Sequence, residues 1–392
     1  MTKTAAFPGW PSFTREEAET VSEVLLSNRV NYWTGEEGKR FEAEFAAAMG
    51  SRHAVALANG TVALELALRV LGIGPGDEVV VTPRTFIASA SCIHAVGGRP
   101  VFADVDPESQ NITADTVEPV LTPRTRAILC VHLAGWPCDM PAITALAGRR
   151  GLWVVEDCAQ AHGATVLGRS VGSWGHVAAW SFCQDKIMTT GGEGGMLTTG
   201  DAELWRKAWE FKDHGKSWTA VNEPDPAPGF RWLHHSFGTN WRMTEIQAAI
   251  GRIQLKRLPH WVEARRRNAG HLTRRLRHIP AVRIPQPDAV LRHAYYKYYL
   301  FVRPERLKSG WNRDRIHRAL LERGLPCLTG VCPELYREKA FASAGHPEHP
   351  RLPTARMLGE TSLALNVHPT LTTEHMDRAA DILESVLGEA SR

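Results

Sequence analysis

With 392 residues, 43% of them apolar and 22% charged, the chain has the composition of a soluble globular protein with room for one large domain and a smaller one. A net charge of +4 is small for that length and gives no reason to expect nucleic acid as a partner. No uncharged run reaches the roughly 18 residues of a membrane span, the N-terminus lacks the apolar core of a signal peptide, and the seven cysteines include no C-x-x-C pair; a cytoplasmic protein with no metal site and no membrane contact is expected.

Residues 12–26 read as a helix capped by Ser12 or Thr14, with Glu16, Glu17 and Glu19 near its positive end. A loop at 31–36 leads into a second helix at 39–49. The strand at 53–58 stops at Asn59-Gly60-Thr61, where a helix begins. Backbone N–H groups at a helix start, a glycine that admits a close ligand and a threonine hydroxyl make a phosphate seat of Gly60 and Thr61; a plain capped helix is the other reading at this point. The glycines at 72–76 precede the strand at 78–81 instead of following it, so they form a turn and not a dinucleotide fingerprint. Phe86 then stands on a strand-to-helix loop, either as a core residue or as a stacking face for a flat heteroaromatic ring.

Further strands at 101–106 and 127–132 and a helix at 140–150 lead to the strand at 152–155, whose C-terminal end carries Asp157. Ligands of open parallel sheets bind at that end. Two more apolar runs, 177–180 and 194–199, flank a bend that holds Ser181 and Lys186. A lysine in a loop is ordinarily solvated, but one that is desolvated becomes a nucleophilic amine able to form a Schiff base with an aldehyde. An acid and a lysine at strand ends of one sheet are what pyridoxal phosphate (PLP) chemistry requires, the lysine binding the aldehyde and the acid keeping the ring nitrogen protonated.

A helix at 201–218 and a proline-dense loop at 222–229 precede Asn240, which reads locally as a turn or cap residue. A long helix follows from about Glu245 to His278, with a break near Leu258-Pro259, and its arginines 265, 266, 267, 274, 275 and 277 read as a solvated face. A strand at 295–302 and helices at 313–322 and 377–387 belong to the smaller domain. The expected division is 1–248 for the large domain with its N-terminal helical segment and 249–392 for a C-terminal α+β domain.

The segments NGTVALELAL, GDEVVVTPRTFIASA, VFADVD, VEDCAQAHGA, SFCQDKIMTTGGEGG and TNWRMTEIQAAIGRIQLKRL, in that order, resemble the DegT/DnrJ/StrS-type sugar aminotransferases. The resemblance spans nearly the whole chain. It implies a fold type I PLP-dependent transferase: an α/β large domain with a mostly parallel seven-stranded sheet flanked by helices, plus a smaller C-terminal α+β domain. It also implies roles. Lys186 and Asp157 are catalytic, Gly60, Thr61 and Ser181 hold the phosphate, Phe86 covers the ring, Gln160 meets the ring hydroxyl, and Asn240 reaches the cofactor of a partner subunit in a homodimer with shared active sites. The implied reaction moves an amino group from glutamate or glutamine to a keto sugar, nucleotide-linked, for surface polysaccharide or a secondary metabolite. Two departures, Cys183 where histidine is usual and an extra glycine in 190–195, leave the substrate contacts near that loop unspecified. A deoxygenating relative has histidine in place of this lysine, and Lys186 speaks against that chemistry. The same motifs equally suit a keto-cyclitol aminotransferase, a dehydration leading to an aromatic amino acid, or a PLP-binding regulator without turnover.

Overall fold

The structure, a computed structural model, describes residues 7–223 and 229–392. In chain order the first nine strands are β1 His53–Leu57, β2 Glu78–Val81, β3 Arg99–Phe102, β4 Thr125–Val131, β5 Trp153–Asp157, β6 Thr165–Val166, β7 Arg169–Ser170, β8 Val177–Ser181 and β9 Gly195–Thr199. Seven of them form one sheet in the order β1-β9-β8-β5-β4-β2-β3. The neighbours from β3 through β8 are parallel, and β9 alone is reversed, antiparallel to both β8 and β1. The alternation of strand and helix ends at β5, since the β6-β7 hairpin and no helix leads to β8, and the bend at 182–194 then returns the chain directly into β9.

Apolar residues run along these strands because helices cover both faces. Val79 and Val81 join one core with the helices Gly60–Val70 and Ala88–Ala95, while Val80 between them joins the opposite core with Met140–Arg150. A third core lies under the other end of the sheet, where Phe41 and Phe45 of Glu37–Ala48 meet Trp180, Phe182 and the first half of the helix Glu245–Leu276. Local chemistry starts these helices. Thr14 and Glu17 close a capping box on Arg15–Leu26, and the Glu245 carboxylate accepts from the backbone N–H groups of Glu37 and Gly38, capping a helix far away in sequence.

The segment expected as one helix at 201–218 is two, Ala202–Lys212 and Trp218–Asn222. Between them His214 and Gly215 take positive φ, 62° and 80°, and a Cβ on Gly215 would stand 1.9 Å from the Ser236 carbonyl oxygen. The proline-dense loop lies partly outside the described residues, at 224–228.

Glu245–Leu276 is one continuous helix of 32 residues with Pro259 inside it, so the break expected at Leu258-Pro259 is absent. Tertiary packing overrides the local penalty: Leu255, Leu258, Trp261 and Val262 are buried on both sides of the proline, which itself faces outward. Further along, Ala269, Leu272 and Leu276 enter a separate core. That core belongs to a second sheet of β10 Val282–Arg283, β12 Tyr298–Val302, β14 Ser362–Leu365 and β13 Cys327–Leu328, all antiparallel, with β11 Leu291–Arg292 paired instead to β6. The helices Arg313–Glu322 and Thr373–Ala390 close over it. The arginine run is not wholly a solvated face. Arg265 is 2% exposed, because its position on the helix points inward beneath Trp10 and the backbone at Tyr295 and Tyr296.

Candidate active site

Four chain segments end at the same edge of the large sheet, and a cavity of about 780 Å³ opens there. The close approach of two of them is made by glycine. Gly195 of β9 is paired to both Leu57 and Ser181, and a Cβ on it would lie 2.2 Å from the Asn59 carbonyl oxygen. A Cβ on Gly60 would lie 2.6 Å from that of Ser181. The helix start at Gly60-Thr61 is thus pressed against the end of β8, with Asn59 capping Val62 N–H at 3.0 Å and the Ser181 hydroxyl accepting from Cys183 N–H. The first residues of a helix, Gly60 and Thr61, and the hydroxyl-bearing Ser181 line this end of the cavity.

Asp157, at the end of β5, is 4% exposed. One oxygen accepts from the Ser89 hydroxyl at 2.7 Å and the other from Ala159 N–H at 3.1 Å, while Ser89 is itself 3.1 Å from the Thr85 hydroxyl. Burial pushes the Asp157 carboxyl above its ordinary range, against the pull of those two hydrogen bonds and of the Lys186 charge. A cationic ring nitrogen beside it would offset that desolvation.

Lys186 follows a turn closed by its own N–H to the Cys183 carbonyl, and its carbonyl accepts from the Trp10 indole at 2.7 Å. Its ammonium lies 5.0 Å from the Tyr296 ring centroid. The Tyr296 hydroxyl donates to Asp185, and burial, with that carboxylate second, holds the phenol well above its usual range. Gln160 accepts from Ala134 N–H at 2.8 Å through its oxygen and lines the cavity wall. Phe86, 63% exposed, stands at the mouth.

The structure therefore brings Lys186, Asp157, Gly60, Thr61, Ser181, Gln160 and Phe86 to one cavity. Asn240 lies elsewhere: it is exposed, bridges to Asp213 and caps Arg242 N–H, and it does not line this cavity. The sequence reading passed over Ser89, Tyr296 and Lys297. A signal existed only for Lys297, a lone charge inside an aromatic and aliphatic run. A buried trio, His132, Glu156 and Cys158, has the composition of a metal site. Its carboxylate is already committed to His132 and to the N–H groups of Gly172, Trp174 and Gly175, which is a structural role.

The donor set suits the PLP that the resemblance implies. A helix start and hydroxyls suit a phosphate, a buried acid has no ion pair among the described residues, an exposed aromatic ring stands at the opening, and a lysine lines the same cavity.

Comparison with known proteins places nearly the whole chain in one family. The model of the DegT/DnrJ/EryC1/StrS aminotransferase family matches residues 11–384. A UDP-N-acetyl-3-dehydro-alpha-D-glucosamine 3-aminotransferase of Acidithiobacillus ferrooxidans is 38% identical, over 95% of this chain and 94% of its own. A GDP-perosamine synthase of Caulobacter vibrioides is also 38% identical, over 91% and 92%. Among solved structures, an aminotransferase from Psychrobacter cryohalolentis is 55% identical with a TM-score of 0.96, covering 97% of this chain and 99% of that one.

Proposed function

This chain belongs to the DegT/DnrJ/EryC1/StrS aminotransferase family, and on that premise we propose that it moves an amino group from glutamate or glutamine to a keto sugar carried on a nucleotide. The protein is an aminotransferase with pyridoxal phosphate as its cofactor. We place the product in surface-polysaccharide or secondary-metabolite biosynthesis. The cofactor supplies an electron sink for the bonds at the donor's α-carbon.

The observation that carries the reading is the convergence of Lys186 and Asp157 on one cavity with the phosphate seat. Lys186 is the covalent anchor and then the base and acid that moves a proton at the α-carbon. Asp157, oriented by Ser89 and Ala159, holds the ring-nitrogen proton. Gly60, Thr61 and Ser181 bind the phosphate, Phe86 covers the ring, and the Gln160 amide, fixed through Ala134, meets the ring hydroxyl.

Asn240 serves the other subunit's site in a homodimer. Its placement away from the chain's own cavity supports this, as do the exposed Phe230, Trp232 and Phe237 on the adjoining segment, an apolar patch of the kind that partners cover. A monomeric holoenzyme in sedimentation would contradict it. No helix among the described residues is long and apolar enough to cross a membrane, and all seven cysteines are free thiols, which suits the cytoplasm we propose as its compartment.

The test is a panel of UDP-, GDP- and dTDP-linked keto sugars assayed for 2-oxoglutarate release from glutamate. At least one should be aminated at a rate far above the sugar-free control. If none is, with glutamate or with glutamine, the sugar assignment fails.

A further inference from the structure

The two residues before β12, Tyr296 and Lys297, form part of the wall that also holds Lys186. The Lys297 side chain is 17% exposed, and its ammonium donates to the Asn366 side-chain oxygen at 2.9 Å and stands 3.9 Å from the Asp185 carboxylate. Both lysines approach one aromatic ring: Lys186 lies 5.0 Å and Lys297 4.8 Å from the Tyr296 centroid. Behind them is the Arg265 guanidinium, buried, with Nε and Nη2 unpartnered among the described residues and Nη1 on the Tyr295 and Tyr296 carbonyls. Burial lowers the affinity of Lys297 for its proton, Asp185 opposes this, and Arg265 and Lys186 add to it. The Lys297 ammonium and the Tyr296 hydroxyl thus share Asp185, itself half exposed. Two ammonium groups therefore stand at one ring of the cavity wall, and Asp185 is the carboxylate beside Lys297.

We propose that Lys297 is the seat for the α-carboxylate of the amino-acid donor, with Asn366 and Asp185 as the resting partners that it leaves when the donor enters. The inference rests on the transaminase reading above. A donor whose α-carbon reacts at Lys186 carries its carboxylate on that same carbon, so the counter-cation has to stand beside the Lys186 ammonium. Lys297 is the other ammonium on the ring that Lys186 overlies. The phosphate seat at Gly60, Thr61 and Ser181 answers the cofactor's own anion and leaves Lys297 free for another.

The second substrate explains why the residue is lysine. A keto sugar brings no carboxylate to the reacting carbon, and a cation fixed there would be left buried and unpaired in that half of the cycle. A compact ammonium on a flexible stem can return to Asn366 and Asp185, where a planar guanidinium would be tied to one geometry.

The test uses the PLP-loaded enzyme and its Lys297→Met and Lys297→Gln variants, with cofactor content and melting temperature as fold controls. Glutarate, an unreactive dicarboxylate, is titrated calorimetrically, and the half-saturation for L-glutamate is read from the change in the cofactor spectrum. UDP, GDP and dTDP are titrated in parallel. Loss of a charge-assisted contact should weaken glutarate and glutamate by about 10- to 100-fold in both variants, with the nucleoside diphosphates within about twofold of wild type. Unchanged glutarate and glutamate binding in variants that load cofactor normally overturns the seat and leaves the transaminase reading standing. Weakened nucleotide binding with unchanged glutarate assigns Lys297 to the acceptor's diphosphate and also overturns it. A wild-type enzyme that ignores both glutamate and glutamine overturns the transaminase reading, and the seat with it.

Discussion

The Asp157 carboxylate is held by a serine that the chain reaches 68 residues earlier. Ser89 donates at 2.7 Å to an oxygen that burial would otherwise push toward protonation, so it favours the ionised form that a ring-nitrogen cation needs. Ser89→Ala should lower kcat about 10-fold or more and weaken cofactor binding, with the KM for the donor little changed. Steady-state kinetics and a cofactor titration check this; an unchanged kcat would remove Ser89 from the site. The contrast with its partner marks what a sequence discloses. Asp157 and Lys186 were legible because each ends or follows an apolar strand, a local signal. Ser89 sits in an unremarkable helical stretch, and only the packing of Ala88–Ala95 over β2 and β3, which carries its hydroxyl to the end of β5, gives it a role. Arg265 was misread for the same reason, since a run of arginines does not say which one points inward.

At the scale of elements, the seven strands of the large sheet, β12 and most long helices follow from apolar runs and capping residues, while the short strands β6, β7, β10, β11 and β13, and β14, carry no apolar run that the local reading singled out. The misses lie where distant packing decides. The reversal of β9 depends on its pairing with β1 across the glycine contacts at Gly60 and Gly195. Continuity of the helix through Pro259 depends on buried neighbours at Leu255, Leu258, Trp261 and Val262. A proline inside a helix costs about 3 kcal/mol and returns up to about 1 kcal/mol by stiffening the unfolded chain. Pro259→Ala should therefore stabilise by about 1–2 kcal/mol and raise the melting temperature, read by calorimetry. A lower melting temperature would mean that Pro259 itself is required for the packing of Glu245–Leu276.

For the molecule as a whole, acid should be more damaging than the small net charge suggests. His162, His293 and His368 are each pushed down to about 3, all chiefly by burial, with nearby cations such as Lys186 and Arg265 adding for His162. Between pH 6.5 and about 3 the unfolded chain binds protons that the folded chain refuses, so stability is full above 6.5 and falls as the pH drops. His162 has no hydrogen-bond partner on either nitrogen among the described residues and packs between Trp180 and Phe182. From pH 6.5 to 5 it should cost about 2 kcal/mol, a loss that His162→Leu should not show. Denaturant midpoints at the two pH values compare them, and equal losses in both proteins would remove His162 as a source of acid sensitivity.

Every role assigned to this site depends on Lys186 carrying PLP and passing an amino group through it. The direct measurement is the absorbance of the PLP-loaded protein before and after L-glutamate, with Lys186→Ala alongside. The wild type should show a visible band from the lysine-bound cofactor and its conversion by glutamate or glutamine to the amine form of the cofactor, and Lys186→Ala should show neither. A wild-type band indifferent to both donors would contradict the transaminase function, and absence of any band would contradict the site itself.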